Sequence, residues 1–213
     1  MAGLTAAQAK AMMLEVAKTV IANKEFLCEA DRNIGDGDHG IGMSNGFEAV
    51  QNELRAHDFT DVYQVFSTIG RTMIKVMGGA SGIIFGLLFY AGSKNMPPKG
   101  EITQAELAGI FEKADVEIKA KGQAKPGDKT LIDALDPMVA AMKAKAAQET
   151  SIPEMLEAAY QAAEDGKEAS KNYIAKLGKA KTLGERAIGY PDAGCVSLTV
   201  IVKAMSIWAK ENL

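Results

Sequence analysis

The chain has 213 residues, 47% of them hydrophobic and 24% charged, with a formal net charge of -3. This is the composition of a globular domain, and the length fits a single domain over residues 1–213. The slight acidity excludes a broad nucleic-acid footprint, so no nucleic acid is expected as a partner.

The opening Met1-Ala-Gly-Leu-Thr runs straight into an amphipathic pattern, so no export signal is expected. Hydrophobic spacing is helical nearly throughout. Met13, Val16, Val20 and Leu27 form a first stripe, Phe47, Val50 and Leu54 a second, and Val62, Phe66, Ile69, Met73 and Met77 a third. Ile83 to Tyr90 is apolar on almost every side, which predicts a buried fourth helix. The apolar run Ile83–Ala91 is too short to cross a bilayer, and no membrane is expected as a partner. Leu107, Ile110, Phe111, Val116 and Ile118 mark a fifth helix, and Leu131, Leu135, Met138 and Met142 a sixth. A seventh runs from Ile152 to about Leu177 with Pro153 in its first turn, a favoured place. The eighth covers Val196 to Trp208; a short strand over Cys195–Val202 is the β-branched alternative. The fold expected is all-α with about eight helices. Cys28 and Cys195, without an export signal, read as reduced thiols in a cytoplasmic protein.

If consecutive helices run up and down, alternate loops share one end of the molecule. Asp31–Gly46, Gly78–Gly82, Gly122–Thr130 and Gly178–Gly194 then lie together and hold fourteen of the 21 glycines. The opposite loops are ordinary polar and proline turns. Glycine permits close approach of backbone to a ligand, so a site is expected at the glycine-rich end. Lys125, Lys129, Lys179, Lys181 and Arg186 stand on its rims.

The first of these loops reads Asp31-Arg-Asn-Ile-Gly-Asp36-Gly-Asp38-His39-Gly40. Turn chemistry accounts for any one of its aspartates. Three together repel one another unless a cation lies between them, and Mg²⁺ is characteristically shared between carboxylates and phosphate oxygens. Gly35-x-Gly37-x-x-Gly40 matches the dinucleotide fingerprint only formally, because a helical stripe precedes it and acids lie inside it. An EF-hand started at Asp36 places Ile41 where glycine belongs and Phe47 where glutamate belongs. Gly122-x₄-Gly127-Asp-Lys129-Thr130 resembles a phosphate-binding loop with one residue inserted and no strand before it, a partial match of a kind common by chance. Ser81 follows Gly78-Gly79 at a helix start, either as a cap or as part of an anion seat. With only His39 and His57, no Ser-His-Asp or Cys-His arrangement is available.

Taken together, Leu27-x₃-Asp31-Arg-x-Ile-Gly-Asp-x-Asp-His-Gly40, Gly78-Gly-Ala-Ser-Gly82, Gly122-x-Ala-x-Pro-Gly-Asp-Lys-Thr130 and Gly184-Glu-Arg-x-Ile-Gly189 make the chain resemble the L subunits of bacterial dihydroxyacetone kinases. The resemblance spans nearly the whole chain in order. It implies an eight-helix antiparallel barrel with ADP or ATP at one end, two Mg²⁺ ions on Asp31, Asp36 and Asp38, and phosphate and ribose contacts from His39, Gly40, Ile41, Gly42, Ala80 and Ser81. Gly122, Leu131, Lys179, Pro191, Asp192 and Ala193 would line the nucleotide pocket. Two departures stand out: Lys179 replaces a familiar Arg, and Tyr190-Pro-Asp-Ala-Gly194 replaces a His-x-Asp-Pro-Gly pattern. The implied activity is delivery of a phosphoryl group to a small ketose held by a separate K subunit. In one regime a phosphotransferase-system phosphocarrier recharges bound ADP; in the other, free ATP exchanges. No catalytic residue is expected in this chain beyond the metal-nucleotide site. A non-catalytic sensor of nucleotide state that binds a regulator is the alternative from another class.

Overall fold

The computed structural model describes residues 3–213. The elements are β1 (Leu4–Thr5), α1 (Ala6–Ala22), α2 (Lys24–Arg32), α3 (His39–Ala56), α4 (Val62–Met77), α5 (Gly79–Tyr90), β2 (Glu101–Ile102), α6 (Gln104–Gly122), α7 (Ile132–Ala147), α8 (Ile152–Ser170), a 3₁₀ stretch (Lys179–Ala187) and α9 (Ala193–Asn212). Each of α1, α3, α4, α5, α6, α7 and α8 packs on the next in that order, α8 on α9, and α9 returns to α1. Eight helices thus close an up-and-down barrel, as the resemblance implied. The remaining helix, α2, is a cross-piece lying on α3 and α9.

The expected first helix is broken at Asn23. Its side-chain amide donates to the Thr19 carbonyl at 2.8 Å and its backbone N–H bonds the same carbonyl, so the helical ladder ends there. The chain then swings into α2, whose last turn brings Asp31 to one end of the barrel. The expected seventh helix stops at Ser170 rather than Leu177. Cys195–Val202 is helical, inside α9, and the strand alternative is not formed. α9 is long and apolar enough to span a membrane by composition, but two thirds of that window is buried in the barrel wall.

The barrel is filled by inward stripes from every wall helix, including Met12, Val16, Phe47, Phe66, Met73, Phe89, Phe111, Met138, Met155 and Met205, all buried. Phe89 stands at the centre, with Phe66 stacked 6.5 Å from it and Phe111 edge-on at 6.5 Å. Where α4 crosses α5 there is no room for side chains: a Cβ at Gly70 would lie 2.5 Å from the Gly86 carbonyl. In α7, Pro137 cannot donate to the Asp133 carbonyl, and Gly166 of α8 packs directly against that group.

The alternation of directions places the N-termini of α3, α5, α7 and α9 at one end and those of α1, α4, α6 and α8 at the other. The second end is closed by the β1–β2 pair (Leu4 opposite Ile102), by Ala6 N–H to Gly100 O at 2.9 Å, and by Asp61 accepting from Tyr63 and Lys99 N–H.

Candidate functional site

At the first end, the opening turns of all four helices face a cavity of about 630 Å³. Its wall includes His39, Ile41 and Gly42 from α3, Gly79, Ala80 and Ser81 from α5, Leu131 beside α7, and Ala193 and Gly194 from α9. Each helix N-terminus leaves backbone N–H groups without helical partners and carries positive dipole. The N-cap residues of α3, α5 and α7 make no side-chain hydrogen bond to those groups. Gly78 and Gly79 have positive φ of 65° and 59°, which turns the chain sharply into α5 and leaves its first turn exposed. Ser81 lies inside the helix and is not its cap. Four positive ends meeting at one hollow suit an anion with several charged oxygens.

Asp31, Asp36 and Asp38 line the same cavity, and one carboxylate oxygen from each lies within 4.8 Å of the others. Asp31 is not in the loop, as the sequence suggested, but in the last turn of α2, where it is only 8% exposed. The loop wraps around it: Asp31 Oδ2 accepts from Gly37 N–H at 2.9 Å and from His39 N–H at 3.4 Å. A Cβ on Gly35 would overlap Asp31 Oδ1, so the wrap requires glycine there. Asp36 and Asp38 are exposed and project over the cavity mouth.

Lys179, from the 3₁₀ stretch, bonds Asp36 and lies 3.7 Å from Asp38 Oδ1. Its ammonium holds the Asp36 carboxyl below the usual carboxylate range, and Asp36 in turn raises the lysine. The lysine stands as a cation among these oxygens, and the donors are of the hard, anionic type that Mg²⁺ takes at about 2.1 Å. Small side-chain movements would bring such oxygens, now within 4.8 Å, to the roughly 4 Å that spans an octahedral ion. The residues therefore fit a divalent cation bridging to phosphate.

His39 Nε2 and Ser197 Oγ are 2.7 Å apart, which ties the start of α3 to α9. Burial lowers the His39 pKa against the pull of Asp31 and Asp38. On the far wall Asp192 caps α9, accepting from Cys195 N–H at 2.9 Å, and desolvation pushes its carboxyl up to about 6.

Of the residues expected to contact nucleotide, His39, Ile41, Gly42, Ala80, Ser81, Leu131, Lys179, Asp192 and Ala193 line the cavity. Gly40, Gly122 and Pro191 are not among its lining residues. Gly40 is buried against α2, where a Cβ would overlap the Lys24 carbonyl, and Gly122 is the last residue of α6. Lys129, expected as a rim cation, is 1% exposed and donates to two backbone carbonyls. Sequence reasoning missed Ile34, Asn45, Phe85, Thr130 and Leu177, whose apolar or neutral side chains carry no chemical signature. The two thiols are both buried and free.

The model of the DAK2 domain matches residues 33–207. The ADP-binding subunit DhaL of the PEP-dependent dihydroxyacetone kinase of Escherichia coli is 35% identical over 187 residues, covering 88% of this chain and 89% of that one. A PEP-dependent dihydroxyacetone kinase ADP-binding subunit from Listeria innocua is 36% identical over 184 residues, covering 86% of each. The crystal structure of the dihydroxyacetone kinase from C. freundii, in complex with AMP-PNP and Mg²⁺, superposes with a TM-score of 0.71 at 26% identity. That match covers 94% of this chain and 34% of the other, so the chain spans about a third of the solved enzyme. The chain belongs to the DAK2 domain family, as a member of its DhaL, or L-subunit, branch.

Proposed function

We propose that this chain is the nucleotide-carrying half of a dihydroxyacetone-type kinase, holding Mg-ADP or Mg-ATP in the cavity and passing a phosphoryl group to a small ketose on a separate K subunit. The observation that carries the reading is the meeting of three carboxylates with four helix N-termini around one cavity. Acids alone would repel a polyphosphate, and bare N-termini alone would not select a metal; together they suit a metal-phosphate ligand.

Asp31, fixed by the Gly37 and His39 N–H groups, is the rigid ligand; Asp36 and Asp38, at the mouth, are the adjustable ones. The N–H groups at Gly79–Ser81 take phosphate oxygens, and Lys179 adds a positive charge at the open edge. Ile34, Leu131 and Leu177 offer apolar surface to the base. When bound, two magnesium ions neutralise phosphate charge and orient the transferred group, the main demand of phosphoryl transfer. His39, joined to Ser197, ties the loop at the start of α3 to α9, and activation of the acceptor is assigned to the partner.

The relatives named PEP-dependent favour a cofactor regime, in which bound ADP is recharged by a phosphotransferase-system phosphocarrier in the cytoplasm. The test is a coupled assay with dihydroxyacetone, Mg²⁺ and either ATP or a phosphocarrier system, with and without a K subunit. Turnover only with the K subunit supports the reading. Turnover by the isolated chain would place the ketose site here and refute it, and nucleotide binding with no turnover in any mixture would favour the sensor.

A further inference from the structure

Between Ser170, where α8 ends, and Ala193, where α9 begins, the chain leaves the barrel wall and carries Lys179 to the carboxylates. Both ends of this excursion meet at one buried cation. Lys129 Nζ donates to Ser170 O at 2.7 Å and to Tyr190 O at 2.6 Å. Ser170 is the last residue of α8, and its carbonyl is one of the helix-terminal acceptors for which a cation is the favoured partner. The same junction is stitched by Gly189 N–H to Lys171 O at 2.8 Å and by Asp192 N–H to Ser170 Oγ at 3.0 Å. Lys176 N–H adds a bond to Asp128 O at 3.1 Å, next to Lys129 in sequence.

Lys129 is itself held in an unusual state. Its φ is 56°, a left-handed conformation that a lysine keeps only where its surroundings impose it. It lines the cavity yet is only 1% exposed, and both of its side-chain bonds are spent on protein backbone. Hydrogen bonds from a charged group to carbonyls away from solvent are the strong kind; losing them strips Tyr190 O of its partner and leaves Ser170 O only the Tyr173 N–H at 3.2 Å.

We propose that Lys129 is a positioning residue for nucleotide binding: it clamps the two ends of the Ser170–Tyr190 excursion and so sets where Lys179 stands against Asp36 and Asp38. The proposal rests on the reading of the cavity as a Mg-ADP site. A residue that merely stabilised the fold would lower the melting temperature and leave the affinity of folded molecules unchanged. A residue acting through Lys179 loses its effect once Lys179 is gone.

The experiment is calorimetric titration of Mg-ADP into the wild type, Lys129→Met, Lys179→Ala and the double variant, with helicity checked by circular dichroism. Lys129→Met and Lys179→Ala are each expected to weaken binding at least tenfold. The double variant is expected within about twofold of Lys179→Ala, the non-additive result of coupled sites. Lys129→Gln, which keeps a donor, serves the same cycle if the Met variant does not fold. Losses that multiply in the double variant, or wild-type affinity in Lys129→Met, would overturn the clamp. A wild type that does not bind Mg-ADP would overturn the nucleotide reading and the clamp with it, and that result appears before any variant is compared.

Discussion

The two ends of the barrel finish their helices in opposite ways. At one end α1, α6 and α8 carry reciprocal capping boxes, Thr5 with Gln8, Thr103 with Glu106 and Ser151 with Glu154, and Asp61 caps α4. At the other end only α9 is capped by its own N-cap side chain; α3 and α7 have single N–H groups met from neighbouring residues, His39 by Asp31 and Ile132 by Thr130, and α5 is left open. Every positive-φ glycine among the described residues also lies at the open end. Caps satisfy helix donors internally and stabilise the fold; bare donors beside flexible backbone serve a ligand. One end is built for stability and the other for binding, and substitutions at the two should separate those properties.

The largest effect is expected from Asp36→Asn and Asp38→Asn. Each removes the charge of a proposed metal ligand from an exposed position, so phosphoryl transfer should fall by more than about a hundredfold while helicity stays. Steady-state rates with a K subunit, beside circular dichroism, check this; rates near wild type in both would return the aspartates to ordinary turn chemistry.

Gly35→Ala comes next. Its methyl group would overlap Asp31 Oδ1 and displace the rigid ligand, so the magnesium requirement for half-maximal activity should rise by about 10- to 100-fold. A magnesium titration reads it directly, and an unchanged requirement would mean that Asp31 is not a ligand.

Thr103→Ala, at the capped end, should cost about 1 kcal/mol of stability through loss of the capping box. Nucleotide affinity should not move. A change in affinity without a change in melting temperature would break the division between the ends.

The smallest effect concerns pH. Asp192 has a folded-state pKa of about 6, above the ordinary 3.8, because desolvation disfavours its charge. Its contribution to stability is therefore full below about pH 4 and is lost as pH rises through 6. Asp192→Asn keeps a capping side chain and removes the titration. Wild type minus variant stability should fall by about 1 kcal/mol across that window, the residue keeping some contact with solvent and so being partly screened. Melting curves from pH 4 to pH 7 check the slope, and a difference that grows with pH would contradict it.

Much of the architecture was legible because hydrophobic period and packing agree at most stripe positions, though Val116 of α6 and Ile83 of α5, expected inside, are exposed. The break at Asn23 was not, since Val20 and Leu27 continue one stripe across it while a local side-chain bond ends the helix. Helix α8 was overextended for a related reason: Tyr173, Ile174 and Leu177 prolong the apolar pattern, but the Ser170 carbonyl is taken by Lys129. The carboxylate cluster was readable because three like charges crowded between Asp31 and Asp38 call for a counter-charge, although Asp31 closes α2 rather than lying in the loop. Lys129 was misread as a rim cation because its partners lie 41 and 61 residues away, beyond any local pattern. Gly40 sits between lining residues in sequence, yet helical rotation turns it onto α2.

The central claim, that the open end holds nucleotide through a divalent cation, is tested most directly by calorimetric titration of ADP into the wild-type chain with Mg²⁺ and with EDTA. Tight binding with Mg²⁺ that collapses in EDTA is the predicted result. Tight binding that survives EDTA, or none under either condition, would contradict it.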